Sequence, residues 1–464
     1  FRSVGYVEGC TSPDYQRLNL SMACNHCDDP VCLKGCPTNA YTKHAEYGAV
    51  LQDPDTCFGC GYCTWVCPYN APQLDPLAGH VQKCNMCVDR LEVGLKPACV
   101  SACVGNALDF GVIDSAPDNR DQVRTSVPGF PDPSISKPNI RFQQTRSLPR
   151  EFTRTDSQPV KYHREDSTGS WEPTYDAKNR TTQLQWNWRK LNSRENPLVV
   201  FTLVTQAVVG AFTIAWLGSI LGLSAMETLM SSSLAAPFVL GLIALQGGVL
   251  FLSTQHLGKP WRFYRGFNNL KYSPLSREAL AISVFFALLI PVAGLLAFLH
   301  GIAGLSPANL PFTSLIPAET AAALLQLSAP LTIAAGVLGI YFMNRIYRIR
   351  ARPFWDHWQV LTAFFGSCLS QGALVIAYLT IPLSALTGTD LLSLWPELIL
   401  FVLAGLSIGA MGHFFHARDL HSGGREGAAA LAVMKTQFGK TWRLRNLLLG
   451  VWVLSCETFL VLDH

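Results

Sequence analysis

Residues 57–68 read CFGCGYCTWVCP, four cysteines at C-x2-C-x2-C-x3-C-P spacing. A loop spaced in this way can offer three thiolates to one iron–sulfur cubane, while the fourth, beside proline, serves a different cluster. The exchange partner lies upstream, where residues 24–37 read CNHCDDPVCLKGCP. Cross-ligation then gives one set of Cys24, Cys27, Cys32 and Cys67, and another of Cys36, Cys57, Cys60 and Cys63. Thiolates suit iron because they are soft, charged donors. The plainer alternatives are a disulfide framework or zinc at the CxxC pairs. Zinc sites use two CxxC pairs, not two four-cysteine runs each closed by proline, so the spacing favours 4Fe-4S clusters.

A third group comprises Cys84 and Cys87 in CNMC, then Cys99 and Cys103 in CVSAC. By the same logic it should exchange its last cysteine with a further run, and none remains in the sequence. Cys10 stands alone and reads as an ordinary thiol. CPTNA (36–40), CPYNA (67–71) and CVGNA (103–107) each follow the last cysteine of a group. Repetition of this kind points to duplicated cluster units, with GAVLQD (48–53) and ALDFGVID (107–114) as flanking strands.

These units must be carried by something, and the rest of the chain is of a different character. Thirteen of the fifteen cysteines precede residue 104, whereas the apolar stretches crowd into the last 270 of the 464 residues. A net charge of +4, with no block of like charge, gives no sign of nucleic acid as a partner. Runs long enough to cross a bilayer lie near 197–223, 234–256, 279–303, 320–344, 360–381, 391–415 and 445–464. Between head and tail, residues 111–196 are polar and proline-rich with no sustained period, and read as an extended linker. WNWRKLNSREN (186–196) ends it with the tryptophans and basic residues of an interfacial belt. The expected architecture is an α+β ferredoxin-like cluster head with duplicated units (1–110), the linker (111–196), and an all-α polytopic membrane domain of seven or eight helices (197–464).

Sidedness is written in the loops. Those on the head's side, with the adjoining helix ends, carry eighteen lysines and arginines, among them Lys259, Arg262, Arg265, Arg345, Arg348, Arg350 and Arg352. Opposite loops at about 224–233, 301–318 and 382–396 carry none. Positive charge near helix ends marks the cytoplasmic side, which places the head in the cytoplasm, on the inner membrane.

Through CNHC, CFGCGYC, KCNMC, KPACVSAC and ALDFG, residues 1 to about 145 resemble the iron–sulfur subunit of the membrane-bound dimethyl sulfoxide reductase group of molybdenum bis-pterin oxidoreductases. The tail resembles the eight-helix anchor subunit of the same group, here fused to the iron–sulfur part. The resemblance implies four cubane clusters, of which two are fully ligated by the cysteines given. The missing four-cysteine run is expected before Phe1, its first three cysteines joining Cys103 and its fourth joining Cys84, Cys87 and Cys99. A separate molybdenum catalytic subunit is implied as partner, with the linker either draped over it or free. The cytoplasmic head departs from the exported members and favours a relative of the quinone-linked sulfite dehydrogenases.

The second apolar run ends in STQHLGKPWRFYRGFNNL (253–270), and SREAL (276–280) opens the third. In the anchor family a histidine in this HLG motif and a glutamate opening the next helix are associated with the quinol site; here they match His256 and Glu278. The chemistry agrees, because histidine near neutral pKa can bond a quinone carbonyl and exchange a proton, and a carboxylate can relay it. Arg345 and Tyr347 in MNRIYRIR are further candidates for the same pocket, although positive-inside anchoring accounts for the arginine. His413 and His416 share a helix face, but the resembled anchors lack haem and none is expected. The resulting expectation is a non-catalytic electron-transfer and anchor subunit that links molybdenum to the quinone pool, in sulfite oxidation or, alternatively, dimethyl sulfoxide reduction. A proton- or ion-translocating complex is the rival class. Such pathways need ionisable residues at bilayer depth, and the runs are nearly free of them.

Overall fold

The computed structural model describes residues 2–9, 16–112, 123–124, 129–143, 151–154, 160–165, 171–175, 195–303, 305, 316–387, 394–421, 430–431, 434, 439, 441 and 443–451. In the head, two short helices, α1 (Val31–Gly35) and α2 (Tyr62–Val66), begin inside the two cysteine runs and end at Cys36 and Cys67. Pro37 and Pro68 follow at once and cannot continue a helix, so both C-caps turn extended. A hairpin follows each helix. Strand β3 (Tyr41–Lys43) pairs antiparallel with β4 (Val50–Gln52), and β5 (Gln73–Asp75) with β6 (His80–Gln82). Cys32, Cys36, Ala40, Tyr41, Val50, Cys57, Cys63 and Val81 pack into one small core, so the cluster loops are themselves the centre of the head. Helices α3 (Val88–Leu91) and α4 (Ala98–Ser101) carry part of the third cysteine group.

The linker expectation is corrected over the described residues. Short strands β7 (Val123–Arg124) and β8 (Phe142–Gln143) pair with each other. Strands β9 (Glu151–Arg154), β10 (Val160–Arg164) and β11 (Trp171–Tyr175) return to the head. With β1 (Ser3–Gly9) and β2 (Gln16–Met22) they form an antiparallel sheet in the order β11-β10-β9-β1-β2. Val7, Phe152, Tyr162 and Trp171 form its core. Three strands of this sheet bury one aromatic apiece, too sparse a pattern to show as an alternating period.

Among the described residues, six helices are long and apolar enough to cross a membrane: α5 (Asn196–Ile220), α7 (Ala235–Thr254), α8 (Pro274–His300), α9 (Ala318–Tyr347), α10 (Gln359–Thr387) and α11 (Leu394–His421). They match the first six apolar runs. The seventh, 445–464, lies mostly outside the described residues. A short helix, α6 (Ser224–Ser231), crosses between α5 and α7 on the face away from the head. Helix α5 is central, with 67% of its apolar window buried against 17% for that of α11. It packs on α10 with almost no space between backbones: a Cβ on Gly210 would lie 1.8 Å from the Cys368 carbonyl oxygen, and one on Gly372 2.5 Å from the Gly210 carbonyl carbon. Small residues are what allow membrane helices to approach so closely.

The head sits directly on the loop between α7 and α8. Gly258 N–H donates to Gly59 O at 3.3 Å and Lys259 N–H to Phe58 O at 3.0 Å. Lys259 Nζ reaches Pro54 O at 2.8 Å, and Arg262 and Arg265 both donate to Asp55 O. From the start of α8, Ser273 Oγ donates to Gly35 O at 2.9 Å, while Asn269 Nδ2 donates to Cys36 O at 2.8 Å. Lys259, Arg262 and Arg265, read in the sequence for sidedness, are therefore also docking groups for the head.

Gly210→Leu should force α5 and α10 apart. The expected result is a lower unfolding midpoint of the detergent-solubilised protein, by an overpacking penalty of about 1–3 kcal/mol, measured against Gly248→Leu as control; a Cβ on Gly248 meets nothing within 4 Å.

Candidate functional site

Cys24, Cys27, Cys32 and Cys67 line a single cavity together with His26, Tyr69, Lys83 and Ser136. The two runs, far apart in sequence, thus meet where cross-ligation requires. Burial pushes the Cys27 thiol up to about 11, against the pull of a 3.3 Å hydrogen bond to Ser136 Oγ. Burial likewise raises Cys32, Cys36 and Cys67. Such thiols favour the protonated form, so if these cysteines held iron, binding would release protons. Lys83 is almost fully buried and donates to Cys24 Sγ at 3.6 Å and to the Cys84 carbonyl at 2.9 Å. Burial, then the charges of Lys83 and Lys43, hold His26 down to about 3; the neutral ring accepts a bond from Val50 N–H at 3.0 Å through Nδ1.

The second set is also drawn together. Cys36, Cys57, Cys60 and Cys63 are close enough that Cys36 and Cys57 each act electrostatically on Cys60 and Cys63. In the third group, Cys84 and Cys99 border one cavity with Arg2, whose guanidinium reaches Cys99 Sγ at 3.6 Å. Cys87 and Cys103 are half-buried, Cys103 accepting from Ala107 N–H at 3.2 Å.

That last bond explains the repeated CxxNA motif. Asn39, Asn70 and Asn106 all take left-handed backbone, with φ of 56°, 50° and 50°. Asparagine adopts this region more readily than most side chains. The turn aims the next N–H at the cysteine four residues back: Ala40 N–H to Cys36 Sγ at 3.4 Å, Ala71 N–H to Cys67, and Ala107 N–H to Cys103. Hydrogen bonds to cluster sulfurs are one of the determinants of potential. The repeat was visible in the sequence; Lys83 and Ser136 were not, because nothing in their local sequence marks them.

A larger cavity of about 480 Å³ lies between head and membrane domain. Phe58 and Cys60 of the head border it, with Phe201 of α5, His256 and Trp261 of the loop, and Glu278 of α8. His256 Nδ1 bonds the Ser253 carbonyl and so carries the proton of the neutral ring. Glu278 is 5% exposed, in the first turns of α8. Cavity and residues fit a flat, largely apolar ring with two carbonyl ends. The placing of Arg345 and Tyr347 in this pocket is corrected: neither borders it. Tyr347 belongs to an aromatic group with Trp65 at 6.3 Å, Trp355 at 5.8 Å and Phe364 at 5.5 Å, which fills the neighbouring head–membrane contact. Of the histidines on α11, His413 bonds Gln359 Oε1 at 3.0 Å, and His416 lies 4.8 Å from the His357 ring.

Fold and site together define an iron–sulfur head fused to a multi-pass membrane anchor with a cavity at their junction. This chain belongs, accordingly, to the DMSO reductase anchor subunit (DmsC) family, whose profile matches residues 191–462, and a 4Fe-4S dicluster domain matches residues 16–113. The B component of the anaerobic dimethyl sulfoxide reductase of Escherichia coli is 46% identical over 121 residues, 26% of this chain and 58% of that one. The B component of the sulfite dehydrogenase of Allochromatium vinosum is 34% identical over 183 residues, 36% of this chain and 76% of the relative. The formate dehydrogenase-O iron-sulfur subunit of Escherichia coli is 45% identical over 92 residues, 20% and 31% of the two chains. The chain therefore spans 58% of the length of the reductase relative it matches.

Replacing Asn70 by valine should strain the turn by about 1–2 kcal/mol and shift the midpoint potential of the cluster for which Cys67 is the expected ligand, whereas Asn70→Gly should leave both nearly unchanged. Potentiometric titration followed by paramagnetic resonance checks this.

Proposed function

We propose that this chain is the electron-transfer and anchor subunit of a membrane molybdenum oxidoreductase, passing electrons between a bis-pterin catalytic subunit and membrane quinone. One observation carries the reading: Cys60, His256 and Glu278 border the same cavity, so a cluster ligand and two proton-exchanging side chains face a single bound molecule. Cys24, Cys27, Cys32 and Cys67 hold one 4Fe-4S cluster, and Cys36, Cys57, Cys60 and Cys63 hold the one nearest the cavity. Cys84, Cys87, Cys99 and Cys103 serve the clusters further from the membrane, towards the catalytic subunit.

A bound quinone takes up two electrons and two protons on reduction. His256 Nε2 bonds one carbonyl end and exchanges a proton there, with the Ser253 carbonyl fixing the tautomer. Glu278 holds the second proton, and Phe58, Phe201 and Trp261 exclude bulk water and grip the ring. The head faces the cytoplasm of the inner membrane, as the basic loops indicate. Sulfite oxidation with quinone reduction is the leading reaction, supported by the sulfite dehydrogenase relative, 76% of which is covered. Dimethyl sulfoxide reduction by quinol is the second reading, supported by the 46% identity to a component of that reductase.

In the assembled complex, His256→Ala and Glu278→Gln should each abolish quinone-linked turnover, a loss of about 10²-fold or more. Dithionite should still reduce every cluster. Unchanged turnover in both variants would remove the quinone site from this cavity. Protease digestion of the head in inverted vesicles, but not in intact spheroplasts, is the expected sign of a cytoplasmic head.

A further inference from the structure

One layer of polar side chains between α5, α7 and α9 is unused by the reading above. Phe201 on α5 and Leu250 on α7 border the cavity; Thr205 and Gln246 follow one turn deeper on the same helix faces. Gln246 Nε2 donates to Thr205 Oγ1 at 3.1 Å, and Gln206 Nε2 meets Met343 Sδ at 3.7 Å. Asn344 is next to Met343 on α9. Ile282 of α8 packs against Gly339 of α9, and Phe285 against Gly336, so the two helices run antiparallel in this register. One turn nearer the head, the same register sets Glu278 level with Met343.

Thr205, Gln206 and Gln246 are no more than 1% exposed, and Asn344 is 3% exposed. Yet Gln206 Oε1, Gln246 Oε1 and Asn344 Oδ1 have no hydrogen-bond partner. Turning either glutamine over changes which amide atom is unpaired without removing the deficit, since each carboxamide brings two donors and an acceptor. Thioether sulfur is only a weak acceptor for Gln206. Unpaired polar groups are especially costly at membrane depth, where no bulk water can serve them.

We propose that Thr205, Gln206, Gln246 and Asn344 bind a small group of ordered water molecules beneath the cavity, and that this water keeps the Glu278 carboxyl hydrated. Water needs two to four polar partners in a polar site, and the layer supplies amide ends from three helices and a hydroxyl. Deeper along α5 the neighbours are Val209 and Phe212, packed with Phe285 and Leu289, so the water is closed off from the opposite face. The role at Glu278 rests on the quinone reading of the cavity; the water site does not.

Pulsed X-ray radiolysis in heavy-oxygen water turns bound water into hydroxyl radicals that label the nearest oxidisable side chain. Met343, 1% exposed, is that side chain, and Met226, fully buried in apolar core, is the control. Run on the membrane-embedded complex and read by mass spectrometry, the experiment should show Met343 labelled several-fold faster than Met226. The double variant Gln206→Leu, Gln246→Leu should bring Met343 down to the Met226 rate. Equal rates in the unmodified protein overturn the water site, whether or not the variant folds. His256→Ala separates the two proposals: Met343 labelling should persist in it, while a failed quinone reading shows as unchanged turnover.

Discussion

Contact between three glycines sets the distance from the iron–sulfur head to the membrane helices. Gly59 and Gly79 of the head and Gly258 of the loop after α7 meet backbone to backbone. A Cβ on Gly258 would lie 2.2 Å from the Gly79 carbonyl oxygen, and one on Gly59 3.0 Å from Gly258 Cα. Gly59 and Gly79 also have positive φ, 75° and 67°, so they serve the turn and the approach at once. Because Gly59 lies between Phe58 and Cys60, this contact brings both residues to the wall of the cavity. The hydrogen bonds from Lys259, Arg262, Arg265, Asn269 and Ser273 to head carbonyls hold the same seam.

Much of this was legible in the sequence, for physical reasons that differ from part to part. Cysteine spacing states which thiols one loop can present, and the four cysteines of each expected set do stand close together. Apolar length is as direct a statement, and six of seven runs appear as helices close to their expected bounds. His256 and Glu278 were found through a local motif and share a cavity; Arg345 and Tyr347, taken from MNRIYRIR, do not border it. The sheet was hidden for another reason. Its strand β1 pairs with β9 about 145 residues later, and neither strand carries enough alternation to announce a partner. Non-local pairing of short strands leaves little local signal.

The buried carboxamides occupy a middle ground. Gln206 and Gln246 are conspicuous in the sequence as polar residues within apolar runs, but spacing alone cannot say that Gln246 meets Thr205 of α5 while Gln206 meets Met343 of α9. Nor can it say that they sit beneath the cavity and not against lipid. Only the packing of α5 against α7 and α9 decides this, through Thr205 facing Gln246 and Val209 facing Gly336.

The order of strands in the head's sheet bears on how the chain is made. Ser3–Gly9 emerges from the ribosome well before one of its two neighbours, Glu151–Arg154, which is itself paired with strands ending at Tyr175. The sheet cannot close until those residues have been synthesised, and Asn196, the start of the first membrane helix, follows closely. Completion of the head and delivery of the nascent chain to the membrane therefore fall in the same interval. A factor that inserts iron after this sheet has closed meets the head while the chain is being threaded into the bilayer or afterwards, at the membrane surface.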